Sequence, residues 1–245
     1  TTYVTGAATV STLSAGAITS TGAFSATTVS GGTLTALGNA TITTVSGGTN
    51  NITGTGNLTT VSGGTTTVTG AGTIGTVSGA ASTLTLNGTG NTITTVNSSG
   101  TSTLTLGGTT TITTLTAAGS GKVNVNADTT ITNLNGGNVA VANNKTLTVG
   151  SSATTYAGVI SGQGALAKTG NGTLELTAAN TYTGGTTLNS GTIKLSGSGA
   201  LSTGTVAIGG GTLSISNSAA NSAGSPTIVG TANNIAGNIN LSLSL

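Results

Sequence analysis

The phrase T-T-V-S-G-G-T occurs at Thr27 to Thr33, at Thr43 to Thr49 and at Thr59 to Thr65. Its valine recurs at Val29, Val45, Val61 and Val77, a constant step of 16 residues, and Leu13 sits one step earlier. A fixed short period built from β-type runs and Gly corners is what a chain needs to wind one solenoid coil per repeat. This periodicity constrains the fold more than any other feature of the sequence.

The apolar residues fall into columns that follow the repeat. Ile42, Leu58, Ile74, Ile93, Ile112 and Ile131 form the first, with steps of 16, 16, 19, 19 and 19; Val45, Val61, Val77, Val96, Leu115 and Leu134 form the second. Ile52, Val68, Leu84, Leu104 and Val123 make a third. Three inward columns per turn predict three short faces joined by corners, where Gly and Asn supply positive φ values. The change of step near Val77 coincides with T-L-T-L at Thr83 to Leu86 and Thr103 to Leu106, which predicts that the coil gains residues on one face.

Composition supports this reading and removes most chemistry. Four Lys, one Asp and one Glu are the only charged side chains in 245 residues, and His and Cys are absent. A solvated disordered chain normally combines low hydrophobicity with high net charge, so ordered β-structure fits better. At 34% hydrophobic residues a thick globular core is hard to build. A solenoid needs only a narrow one, since each coil buries a few apolar side chains against its neighbours. The net charge of +2 describes scarcity rather than a basic surface, so nucleic-acid binding is not expected. No apolar run of membrane-spanning length exists.

Residues 1–150 are expected to form a solenoid with 16- and then 19-residue coils. The register loosens between Gly150 and Gly164, and residues 151–216 continue the solenoid with G-T-L-E-L at Gly172 to Leu176, G-T-I-K-L at Gly191 to Leu195 and G-T-L-S-I at Gly211 to Ile215. Stacked strands would put Glu175 and Lys194 side by side on the outer surface, about 4.8 Å apart in strand spacing. Residues 217–245 are read as a polar segment followed by an alternating strand, N-I-N-L-S-L-S-L.

The stretch Gly164 to Leu195, G-A-L-A-K-T-G-N-G-T-L-E-L-T-A-A-N-T-Y-T-G-G-T-T-L-N-S-G-T-I-K-L, and its continuation Gly199 to Ile215 resemble the autotransporter-associated β-strand repeat. Ala178 and Ala179 stand where that repeat commonly carries Gly, which is expected to alter one corner. The period and length predict an all-β solenoid of about 12 coils of 16 to 20 residues, and the resemblance implies that it is a right-handed parallel β-helix exported across the outer membrane of a Gram-negative cell. It also implies an adhesin or another large surface protein. The sequence opens at Thr1 without Met, basic n-region or apolar h-region, so any targeting segment is expected to have been removed. The sequence ends at Leu245 without an amphipathic β-barrel, so a cleaved passenger, an excised piece of a longer protein or a secreted protein using the same repeat is expected.

Candidate sites are few. Glycoside hydrolysis needs two carboxyls a few ångströms apart, whereas Asp128 and Glu175 are 47 residues apart. A Ser or Thr nucleophile would lack a His. No catalytic, cofactor or metal site is therefore expected, and one Asp cannot supply calcium-binding repeats. N-A-T, N-I-T and N-L-T at Asn39, Asn51 and Asn57 are expected by composition alone.

Three readings of function remain. In the first, the chain is a non-catalytic subunit of an extracellular filament or matrix. It would pair with copies of itself head to tail or by strand donation through Ile239, Leu241, Leu243 and Leu245, because few charges guard its strand edges. In the second, it is part of an adhesin passenger that attaches to a host or neighbouring cell. In the third, Thr92, Thr94, Thr111, Thr113, Thr130 and Thr132 flank inward Ile residues and form a Thr ladder similar to the ice-binding face of T-x-T β-solenoid antifreeze proteins. Thr is also an ordinary outward strand residue, and Asn57 and Gly75 interrupt the array.

Overall fold

A computed structural model describes residues 1–118, 120–150, 153–198, 201, 204–215, 228–229 and 239–241. The chain is an all-β parallel β-solenoid of about 11 turns with roughly 18 residues per turn. It divides into two compact units, Thr1–Asn124 and Val125–Leu245. The loosened segment from Gly150 to Gly164 lies inside the second. Among the described residues no helix is long and apolar enough to cross a membrane.

In the first unit every coil contributes two pairing segments. The first runs through Ala8–Leu13, Phe24–Val29, the start of Ala40–Ile52, the start of Gly56–Val68, Gly72–Gly79, Asn91–Ser98 and Thr110–Thr116. All of these pair in parallel, one coil to the next. The pairing skips one position in each rung, between Ile42 and Thr44 and between Ile93 and Thr95, for example. At that position the strand bends, so Val45 and Val96 return to the interior after an odd spacing instead of an even one. The second segment is straight. Ala17–Ser20, Thr33–Ala36, the end of Ala40–Ile52, the end of Gly56–Val68, Thr83–Leu86 and Thr103–Leu106 pair over four consecutive residues per rung.

β-branched and Leu side chains fill the inside because their alternation matches the strand period. Ile42, Leu58, Ile74, Ile93 and Ile112 are at most 2% exposed, and Val45, Val61, Val77, Val96 and Leu115 likewise. Each such side chain contributes roughly 1.5–3 kcal/mol by leaving water, so a narrow core suffices.

Two sequence expectations need correction. The third column does not run from Val68 to Leu84, because Val68 pairs with Leu86 and Leu84 pairs with Thr66. There are two columns: Leu34, Asn50, Thr66, Leu84 and Leu104, and beside it Ala36, Ile52, Val68, Leu86 and Leu106. A polar rung in the first of them hid the register. Asn50 and Thr66 are fully buried, and Asn50 Nδ2 donates to Thr66 Oγ1 at 3.3 Å and to the Gly47 carbonyl at 3.2 Å. The second correction concerns coil length. Thr83–Leu86 and Thr103–Leu106 are four residues long, as Thr33–Ala36 is. The added residues therefore lie in the corners around Ala80–Ser82 and Asn87–Gly90. Backbone pairing fixes the strands, so length is added where no ladder has to be kept.

In the second unit one stack runs through Thr129–Gly136, Thr146–Val149, Ala165–Lys168, Thr186–Leu188, Val206–Ile208 and Ile228–Val229. Asn138–Val141 pairs with Ile160–Gly162, which carries the ladder across the loosened segment. A second sheet stacks Thr154–Tyr156, Thr173–Leu176, Thr192–Leu195, Thr212–Ile215 and Ile239–Leu241. Most of residues 217–245 lies outside the described residues.

Candidate functional site

The outward surface of the first unit carries hydroxyls in rows. Thr92 pairs with Thr73 on one side and Thr111 on the other, and Thr92, Thr94, Thr111 and Thr113 are all exposed. Thr94 and Thr113, however, occupy the position that the pairing skips. Thr130 and Thr132 belong to the second unit and are half-buried, with Thr130 paired to Thr148. Within the first unit, Thr92 and Thr111 are thus paired in register and Thr94 and Thr113 are not.

Sequence reasoning missed two further rows. Thr33, Thr49, Thr65, Thr83 and Thr103 stack in one outward row, and Thr35, Asn51, Thr67, Thr85 and Thr105 stack in the next. The T-L-T triplets at 33–35, 83–85 and 103–105 were the available signal, once Thr66 is recognised as an inward residue.

Four charged side chains of the second unit, Asp128, Lys168, Glu175 and Lys194, make contacts within the fold. Glu175 pairs in register with Lys194, and their side chains meet at 3.0 Å. Ser196 Oγ donates to Glu175 Oε1 at 2.6 Å and Thr155 Oγ1 to Oε2 at 3.3 Å. The Ser196 hydrogen bond is the largest cause, followed by Lys194, that holds the Glu175 carboxyl below its usual pKa. The Asp128 carboxylate accepts the Thr146 N–H at 2.9 Å. Each carboxylate thus serves the ladder next to it.

Lys168 is the unforeseen residue. It stands in an inward column between Val149 and Leu188 and is fully buried. Its ammonium donates to the carbonyls of Gly150 at 2.9 Å, of Gly170 at 3.1 Å and of Thr169. Burial pushes its pKa below the ordinary lysine value. The clue lay in A-L-A-K at Ala165 to Lys168: if Leu166 points inward, the two-residue period sends Lys168 inward too.

The aromatics divide in the same way. Phe24, Tyr156 and Tyr182 are buried, whereas Tyr3 is 76% exposed. Tyr156 Oη donates to the Gly137 carbonyl at 2.6 Å, and Tyr182 Oη shares a hydrogen bond with Thr186 Oγ1. Burial raises the Tyr156 pKa. At the C-terminal end, Ile239–Leu241 pairs in parallel with Leu213–Ile215 of the same chain. Leu243 and Leu245 lie outside the described residues.

The parallel β-solenoid with few charged side chains defines the class of protein. The comparisons with known proteins agree with it. Residues 166–195, which hold Lys168, Glu175 and Lys194, match the passenger-associated-transport-repeat family. Over 53 residues the chain is 43% identical to the adhesin BmaC autotransporter of Brucella suis biovar 1 (strain 1330), a match covering 22% of this chain and 2% of that protein. The chain therefore carries a passenger-associated transport repeat and is distantly homologous to an autotransporter adhesin. No solved structure matches it.

Proposed function

We propose that this chain is a non-catalytic stretch of an autotransporter passenger, displayed on the cell surface, and that it serves attachment to another surface. The observation that carries this reading is the transport repeat at residues 166–195. Its sequence is spent on stacking: Leu174 and Leu176 face the core, Glu175 bonds to the neighbouring coils and Lys168 is enclosed by carbonyls. Such a repeat extends a rigid arm, and the likeness to an adhesin supplies the task.

The alternative of a self-assembling filament subunit has less support. The strand it would donate, Ile239–Leu241, has a partner within the chain. Attachment is tested with beads coated with the folded chain and scored for adherence to bacterial and animal cells, beside beads coated with heat-unfolded chain. Adherence of the folded form alone is expected. Equal or no adherence of both coatings, together with regular filaments in electron micrographs, would replace this reading with the filament.

A further inference from the structure

Two outward rows of the first unit stay in register from rung to rung without a skip, with Thr33, Thr49, Asn51 and Thr65 exposed and the other six residues half-buried. We propose that the face formed by Thr33/Thr35, Thr49/Asn51, Thr65/Thr67, Thr83/Thr85 and Thr103/Thr105 binds ice. This goes beyond attachment and is independent of it.

Flatness is the first argument. These rungs pair over four consecutive residues without a skip, whereas the neighbouring strand skips one position in every coil. Side chains on the straight segment therefore stand at a regular pitch of about 4.8 Å between rungs and about 7 Å along the strand. The oxygen rows on the prism faces of hexagonal ice repeat at close to those two distances. A face matched in both directions can hold water in ice-like positions over many rungs at once.

Chemistry is the second argument. Nine of the ten positions are Thr, the tenth is Asn51, and none is charged or aromatic. Each Thr offers a hydroxyl that exchanges hydrogen bonds with water and a methyl that water must cage. Its branched Cβ restricts χ1, so neighbouring rungs present the same atoms in the same place. Inward neighbours such as Leu84, Leu86, Leu104 and Leu106 are at most 3% exposed and fix the backbone beneath. A single hydroxyl binds weakly, but contacts on a rigid support act together once the first is made.

The full chain is assayed for incorporation into a slowly grown ice hemisphere, for inhibition of ice recrystallisation and for thermal hysteresis. Wild-type chain is expected to enter the ice and hold back crystal growth. Thr67→Tyr and Thr85→Tyr, each with an unchanged circular dichroism spectrum, are expected to lose this activity, while Thr92→Tyr on the bent strand keeps it. Thr67→Ser combined with Thr85→Ser removes two methyls without adding bulk and is also expected to lose activity, which covers the case in which a tyrosine prevents folding. Exclusion of the wild-type chain from ice would overturn the proposal. So would full activity in a folded Thr85→Tyr or double-Ser variant, or loss of activity through Thr92→Tyr.

Discussion

Lys168 is the residue at which competing energies are most evenly set. Burying an ammonium costs several kcal/mol, and the carbonyls of Gly150, Thr169 and Gly170 offset it. In Lys168→Met the Gly170 carbonyl keeps the Ser190 hydroxyl at 3.1 Å, while those of Gly150 and Thr169 lose this donor. An unsatisfied buried acceptor costs about 1–3 kcal/mol, so the variant is expected to be less stable by ~1–3 kcal/mol near neutral pH, read from urea denaturation. The pH dependence has a definite sign. The folded pKa lies below the ordinary lysine value, so between the two the unfolded chain binds more protons and stability rises with pH. Wild type should therefore gain on Lys168→Met as pH rises toward that value. A gap that narrows would mean the carbonyls raise the pKa more than burial lowers it.

Glu175 gives the opposite case. Its folded pKa is lowered, chiefly by Ser196, so the stability it adds is complete above the unfolded carboxylate pKa and lost as pH falls through the folded one. Ser196→Ala should raise the Glu175 pKa more than Thr155→Val does. As the sequence holds a single Glu, carboxyl labelling gives one NMR signal to titrate. The register of Glu175 with Lys194 was legible from the spacing of G-T-L-E-L and G-T-I-K-L. The Ser196 and Thr155 hydroxyls were not, because Ser and Thr are so common here that neither stands out.

At the scale of the element, corners and strands divide the work. Gly16 and Gly64 occupy equivalent corners, with φ of 77° and 71°. A Cβ at Gly16 would meet nothing within 4 Å, whereas at Gly64 it would lie 2.5 Å from the Gly47 carbonyl carbon and 2.6 Å from the Gly48 oxygen. Gly16→Ala is expected to cost only the left-handed backbone penalty, about 1–2 kcal/mol. Gly64→Ala must also push two coils apart and should cost ~3 kcal/mol or more. Equal losses in thermal melts would show that φ alone makes these glycines necessary. The strands were legible because alternation and a 16-residue step survive in the sequence. The corners were not, since an added Ala or Asn carries no periodic mark, and the Asn50–Thr66 rung placed polar residues where periodicity alone looks for Leu.

For the whole molecule, scarcity of charge is the property that most separates it from an ordinary soluble protein. Six charged side chains serve 245 residues, and of these Lys168 is buried while Glu175 and Lys194 face each other. Salt screens exposed charges over about 10 Å at 0.1 M, and this chain offers little for it to act on. Its stability comes from coil-on-coil burial and backbone ladders, both weakly sensitive to simple salts. The midpoint of thermal unfolding should thus stay nearly constant from dilute buffer to high sodium chloride. Bead adherence should stay constant too, since a surface with so few charges gives salt little to screen. Sodium sulfate should stabilise the fold, because an excluded salt strengthens apolar burial. A steep loss of adherence in sodium chloride with an unchanged melting midpoint would place the attachment on the few lysines. Lys122, Lys145 and Lys194 would then be the residues to substitute first.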